Sequence, residues 1–419
     1  MNRKLWENLA SLYSVHAFNY LVPLFTLPYL ARVLGPAEWG ALAFADAYAR
    51  FVSLAVEYGF GLSATREVAR IRHDPSARGR QLSGVFGAQL LLGAAALLVT
   101  VMLARFLPIF ASHRWLLPGA LFWAMSQGAA PMWYFQGIER VRLMGALWIA
   151  GRLAGALALL LFVHAPGDGP IALFIQGTAP FLCVVGGLVL AYRDTPFYWP
   201  SMERGWEALN SGGSLFMFRA GAAFYSSLNV LLLGFFAPPV VVAWYAGAEK
   251  LARAAVSAWS PINQAFYPRI NHLIATDRAG AERTARWSAW LMVAAGLGMG
   301  LFLFFSAPLV VRLALGPGFA PAAGVLRVMA ALPPVIALSN VLGAQWMLAL
   351  RLDKELNWII LGAGLVNLVG ALVLGHRYQA LGMAASLVIA EAFVAVAALV
   401  FLRRRKLEPW RGSPAEVVA

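Results

Sequence analysis

The sequence predicts an all-α polytopic membrane protein: twelve transmembrane helices in two six-helix lobes related by a parallel repeat. Three observations predict it. Of 419 residues, 61% are hydrophobic and 12% charged, with mean hydropathy +0.69. Helices that face lipid as well as each other need that much apolar surface; a soluble domain does not. The apolar runs reach spanning length without the period-2 alternation of a membrane barrel. Finally, a charged pattern occurs twice, 203 positions apart.

That pattern begins in the stretch from Arg32 to Arg66, which is apolar enough for lipid yet carries Asp46, Arg50 and Glu57. At 100° per residue, Asp46, Arg50, Ser53 and Glu57 fall within about 60° of one helix face. Without a gap, Pro36 aligns with Pro239, Asp46 with Glu249, Arg50 with Arg253 and Arg66 with Arg269, while Ser260 stands for Glu57. A duplicated half, each copy lending a charged face to a shared cavity, explains the match.

Taken in order, the spans are expected near 8–34, 38–64, 83–107, 115–138, 143–165, 170–192, 211–236, 240–268, 286–312, 322–350, 355–375 and 378–402. The domains follow: an N-terminal lobe 1–195, a cytoplasmic interfacial linker 196–210, a C-terminal lobe 211–402 and a basic cytoplasmic tail 403–419. Six spans per half let both copies enter the membrane in one direction, which makes the repeat parallel, with the substrate path between the halves. The basic N-terminus resembles a signal peptide's start, but the segment after it is too long and too polar for a cleaved leader, so it reads as the first span. That span has a polar side with Ser11, Asn19 and Thr26, and its Pro23 and Pro28 predict a bend. His16 aligns with Arg219 at the same 203 offset. The run Met132-Trp133-Tyr134-Phe135 reads as an anchor at the water–lipid boundary, and the aromatics of the linker read likewise.

The formal charge of +14 does not imply nucleic acid, because topology accounts for it. With twelve spans, the side bearing both termini collects most of the Lys and Arg, and the other side only Arg32, Arg105, Arg114, Arg312 and Arg377. The positive-inside rule then makes both termini cytoplasmic. The Arg403–Lys406 cluster is a stop signal with affinity for anionic membrane lipids. The single Cys183 excludes a disulfide framework, and no Walker A, HExxH or close His/Asp metal pattern occurs, so no cofactor or metal is expected.

Six cations remain within spans: Arg50, Arg152, Arg219, Lys250, Arg253 and Arg327. Their clear intramembrane carboxylates are Asp46, Glu57, Glu249 and Glu391. A charge at bilayer centre costs on the order of 3 kcal/mol, so it faces a cavity or a partner. Asp46–Arg50 and Glu249–Arg253 have i,i+4 spacing and can pair within one helix. The excess cations predict a net positive cavity, and five of the six are Arg, whose planar fork fits phosphate at two points. The expected diphosphate site is Arg50, Arg219, Arg253 and Lys250, with Arg152 and Arg327 beyond. Asp46, Glu249, Glu57 and Glu391 are the ion-pair or coupling carboxylates, and His16, Asn19, Ser53 and Ser260 the polar lining. Asp46 and Glu249 either hold the arginines in the empty state or exchange H+ or Na+ on the return step.

Four segments carry a family resemblance: LPYLARVLGPAEWGALAFADAYARF (27–51), EYGFGLSATREVARIRHD (57–74), WYFQGIER (133–140) and AFYPRI (265–270). They resemble Wzx-type O-antigen and polysaccharide-unit flippases of the multidrug/oligosaccharidyl-lipid/polysaccharide exporter (MOP) superfamily. The resemblance implies a MATE-like two-lobe fold in the bacterial inner membrane. It further implies alternating access, and movement of an undecaprenyl-diphosphate-linked oligosaccharide from the cytoplasmic to the periplasmic leaflet, with polysaccharide polymerase and chain-length proteins as partners. The alternatives are a lipid II flippase, a multidrug antiporter and an O-antigen polymerase. The antiporter would want a net acidic cavity. The polymerase, an enzyme, would want a sizeable periplasmic loop, where this sequence offers only Glu38 and Asp168 as clear loop carboxylates.

Overall fold

A computed structural model describes residues 3–104, 108–201, 203–210, 228–257 and 260–410, with side chains from residue 25 onward except 108, 111, 260, 261, 264 and 265. Among the described residues every regular element is helical. The chain divides into two compact units, Met1–Ala223 with Pro238–Val240, and Phe224–Ala237 with Val241–Ala419. Six helical stretches among the described residues are long and apolar enough to cross a membrane: Pro75–Ala104, Val141–Phe162, Pro166–Arg193, Arg278–Ala314, Ala322–Met347 and Asp353–Arg404. Large apolar side chains such as Leu98, Phe162, Phe305 and Leu365 are exposed on them, as lipid-facing surface requires.

In the first unit, α1 (Arg3–Glu57) is two helices joined at Gly35, whose φ of 71° and ψ of 172° interrupt the helical path. A residue with a Cβ would be strained there, and Pro36 then opens the second half without losing a needed N–H. Tyr58 and Gly59 both take positive φ and end α1, and α2 (Phe60–Arg70) follows. Asp74 reverses the chain into α3 (Pro75–Ala104), its Oδ1 accepting the N–H groups of Ser76 and Ala77 at 2.9 and 3.0 Å. Then come α4 (Pro108–Ser112), α5 (Leu116–Ala129), α6 (Met132–Gly137), α7 (Val141–Phe162) and α8 (Gly169–Arg193).

Pro131 divides the expected 115–138 span into α5 and α6, and the aromatic run of α6 is not an anchor. Trp133, Tyr134 and Phe135 are buried in the unit's core with Phe60, Val68, Leu82 and Met144. Gly137 lets α6 approach Val68, and Thr65 Oγ1 donates to Trp133 O at 3.1 Å. Packing against α2 therefore claims rings that spacing alone assigns to the surface. Phe197, Trp199 and Trp206 of the following segment are the exposed ones. That segment runs along α3 where side chains are missing: Gly79 faces Pro196 O, Gly87 faces Ser201 O, and Ser83 Oγ donates to Trp199 O at 2.6 Å.

In the second unit, a helical stretch at 228–236 precedes α9 (Pro239–Ser257), α10 (Ser260–Thr276) and α11 (Arg278–Ala314). Asp277, 203 positions after Asp74, caps α11 by accepting the Gly280 N–H at 2.9 Å. The expected 322–350 span is divided into α12 (Ala322–Met329), α13 (Leu332–Ser339) and a π-helical segment Asn340–Met347. Finally α14 (Asp353–Gly370), a π turn Ala371–Gly375 and α15 (His376–Arg404) follow. At 1.5 Å per residue this last stretch would measure about 78 Å, more than twice a hydrocarbon core. Gln379, at φ 50° and ψ −126°, turns it back on itself, so that Gly370 of α14 abuts Ser386 of α15.

Candidate functional site

The two acid–arginine motifs form the same local structure, one in each unit. On α1, Arg50 Nε and Nη2 donate to Asp46 Oδ2 and Oδ1 at 3.3 and 3.2 Å. On α9, Arg253 Nε and Nη2 both donate to Glu249 Oε1, at 2.9 and 2.7 Å. The i,i+4 spacing puts each acid one turn before its arginine, so the side chains meet over a single helix. Exposure separates the partners. The Asp46 and Glu249 side chains are 12% and 10% exposed, against 56% and 47% for Arg50 and Arg253. Each acid is embedded in its unit's packing and steers a guanidinium that keeps an open side.

Further side chains order each arginine. In the first unit the Arg50 guanidinium stands 5.2 Å from the Trp123 ring centre on α5, a cation–π contact, and buried Ser53 donates to Arg50 O at 2.8 Å. Arg152 of α7, 5.6 Å from the Trp148 ring, lies within electrostatic reach of Arg50 and Asp46. In the second unit, Glu391 of α15 and buried Tyr245 act electrostatically on Arg253. The Tyr245 hydroxyl is buried beside Asn229, and Asn229 Oδ1 accepts a bond from Asn367 Nδ2 at 2.8 Å. Ser386 Oγ donates to Asn367 Oδ1 at 3.4 Å.

So the structure brings together Asp46, Arg50, Ser53 and Arg152 in one unit, and Glu249, Arg253 and Glu391 in the other. Lys250 is exposed on α9 beside Glu249 and has an interaction partner, and Glu57 is the partly buried last residue of α1, also with a partner. Arg327 is exposed in the last turn of α12, where a cation complements the helix C-terminus. Arg219 and the side chains of His16, Asn19 and Ser260 lie outside the described residues. Sequence reasoning missed Trp123 and the Asn229–Asn367–Ser386 chain. Nothing in the local sequence marks Trp123, whereas Tyr245 stands one turn before Glu249 on the same face and was within reach of the i,i+4 rule. Among the described residues no group of three His, Cys, Asp or Glu side chains could hold a metal.

Comparison with known proteins adds four findings. The model of the family described as "Polysaccharide biosynthesis protein" matches residues 5–274. A protein of Escherichia coli (strain K12) named "Putative O-antigen transporter" is 29% identical over 413 residues, 96% of this chain and 98% of that one. Among solved structures, the lipid II flippase MurJ in an inward closed conformation superposes with a TM-score of 0.73 at 13% identity, over 93% of this chain and 87% of that one. An inward-facing multidrug resistance MATE family transporter of the MOP superfamily gives 0.66 at 16%, over 92% and 94%. At those identities the two likenesses give the fold alone: helical and MurJ/MATE-like.

Proposed function

The chain belongs to the polysaccharide biosynthesis protein family, and from that premise we propose that it is a flippase for a lipid-linked oligosaccharide of the O-antigen type. It is a multi-pass membrane transporter, not an enzyme. Its cargo is an undecaprenyl-diphosphate-linked repeat unit, moved from the cytoplasmic to the periplasmic leaflet of the inner membrane. The matched E. coli relative, aligned over nearly its whole length, supports the cargo class.

One observation carries the mechanism. In both units a nearly enclosed acid presents a half-open arginine from the same register of a helix. A sugar diphosphate cannot cross hydrocarbon, because its hydroxyls and charges would lose their water partners. Twelve spans in two repeat-related lobes, with both termini cytoplasmic, would enclose a watery path whose arginines replace those partners. Arg50 and Arg253, with Arg152, Lys250 and Arg219, hold the diphosphate, and the polyprenyl tail stays in lipid. When the cargo leaves, Asp46 and Glu249 take the guanidinium groups back, or exchange H+ or Na+ to reset the protein. The membrane potential favours outward movement of the anion by roughly 2.3 kcal/mol per charge per 100 mV. The translocated unit then passes to a polymerase and its chain-length partner.

Proteoliposomes loaded with a defined undecaprenyl-diphosphate oligosaccharide test the proposal. The sugar should become accessible to an impermeant oxidant on the far side and should be recovered chemically unchanged. Movement of lipid II alone, or covalent alteration of the sugar, would overturn it.

A further inference from the structure

A second cluster of cations lies in the first unit, away from Arg50. Arg72, His73, Arg78, Ile138, Glu139 and Arg140 line a cleft of about 380 Å³ at the ends of α2, α3 and α6. Arg78, in the first turn of α3, is only 9% exposed. Its Nη1 donates to the Tyr134 hydroxyl at 3.0 Å and its Nη2 to the main-chain oxygen of Asp194 at 3.3 Å, while Nε is buried without a partner. Both acceptors are neutral, so this buried cation has no carboxylate in contact. Arg72 and Arg140, by contrast, have exposed side chains held at the rim, Arg72 on Glu139 at 3.1 Å and Arg140 on Asp194. The backbone fixes the rim, since Asp74 caps α3 and Glu139 turns the chain at φ 60°.

A buried guanidinium that touches only neutral acceptors, with the nearby carboxylates Glu139 and Asp194 already held by Arg72 and Arg140, is stabilised by an arriving anion. Three planar forks around one small cleft match the several oxygens of a phosphate better than a single carboxylate. The level in the membrane narrows the anion further. Ser83, on α3 beyond Arg78, holds the backbone of Trp199, and Phe197, Trp199 and Trp206 are exposed there, as side chains at the headgroup level are.

We propose that Arg72, Arg78 and Arg140 form a docking site for a lipid-borne phosphate group at the cytoplasmic-leaflet end of the first unit. The site rests on the membrane reading above but not on the roles given to Arg50 and Arg253. The phosphate comes either from an anionic phospholipid of the bilayer or from the polyprenyl diphosphate before translocation.

The test uses the full-length protein in phosphatidylcholine nanodiscs, with lipid retention read by native mass spectrometry. The probes are phosphatidylglycerol, undecaprenyl diphosphate and free inorganic pyrophosphate. The variants are Arg78→Gln, the rim pair Arg72→Gln with Arg140→Gln, and Arg283→Gln, an exposed cation of the second unit, as a control. Wild type and Arg283→Gln should retain at least one of the two lipids. Retention should drop about tenfold or more in Arg78→Gln and in the rim pair, since each loses charge-assisted bonds. Retention of phosphatidylglycerol alone assigns the site to the bilayer, and of undecaprenyl diphosphate alone to the cargo. Equal retention by wild type and the rim pair, or binding of pyrophosphate with neither lipid, would overturn the proposal. The rim pair decides should Arg78→Gln fail to fold. Phosphatidylglycerol retained by an Arg50→Ala protein that has lost transport separates this site from the translocation path.

Discussion

Removing one partner of an acid–arginine pair should not equal removing the other, because the two are unequally enclosed. Arg50→Ala takes from Asp46, whose side chain is 12% exposed, the guanidinium from which it accepts two bonds. Breaking a fully buried pair from one side costs about 3–5 kcal/mol. Arg50 itself is 56% exposed, so solvent already screens the pair and a loss of about 2 kcal/mol is the sounder expectation. Asp46→Asn instead leaves an arginine with an open side, and should cost about 1 kcal/mol or less. In the double variant the carboxylate that lost those bonds is gone as well, so stability should recover most of what Arg50→Ala lost. Buried Cys183, the sole cysteine, supplies the assay, since a thiol-reactive dye reports its exposure on thermal unfolding. Surface glycan in cells supplies the transport readout. Arg50→Ala and the double variant should both abolish transport, although only the first is markedly destabilised. A double variant that regains both stability and transport would refute the reasoning and make Arg50 a structural partner only.

Three smaller expectations follow. Asp74→Ala and Asp277→Ala each remove a helix cap and should each lower stability by about 1 kcal/mol, measured as thermal midpoints; a cost at one position and none at the other would break the equivalence drawn between them. Gly87→Ala drives a methyl to within 2.7 Å of Ser201 O and should cost about 1–3 kcal/mol while opening the 196–205 segment to protease, whereas Gly298→Ala, with nothing near its new methyl, should be neutral or mildly stabilising. The main-chain N–H groups of His164 and Ala165 hold the Asp168 carboxyl below the usual carboxylate range. Its contribution is therefore present above about pH 4, its unfolded value, and is lost as pH falls through the lower folded value. Asp168→Asn should flatten the thermal midpoint across that acid window, and an unchanged acid slope would count against the hydrogen bonds.

The features legible in the sequence were those set by spacing along one helix. Asp46–Arg50 and Glu249–Arg253 pair as i,i+4 geometry dictates, and Gly35-Pro36 breaks α1 where a glycine followed by a proline should. What depended on a distant neighbour was not legible. Tyr58 takes positive φ and ends α1 at Glu57, short of the expected residue 64, although no Pro follows. The rings of Trp133, Tyr134 and Phe135 turn inward because α2 offers a surface for them, and no pattern within residues 132–135 encodes that surface. Arg78 read as one of several basic loop residues, since a count of charges near helix ends cannot tell a buried guanidinium from a solvated one. Arg327 reads as a cavity cation because it lies in an apolar stretch; what the sequence does not show is that this stretch is divided, with Arg327 exposed in the last turn of α12 before α13 begins.

The placement of each acid one turn before its arginine also bears on how such helices are made. Both partners leave the ribosome within four residues of each other and can meet as soon as that turn has formed, before any later helix has been synthesised. On the twelve-span reading, the segment presented to the insertion machinery then carries a self-neutralised pair in place of a lone cation. Had the carboxylates been supplied by later helices, each arginine would have had to wait in or beside the bilayer for a counter-charge still to be translated.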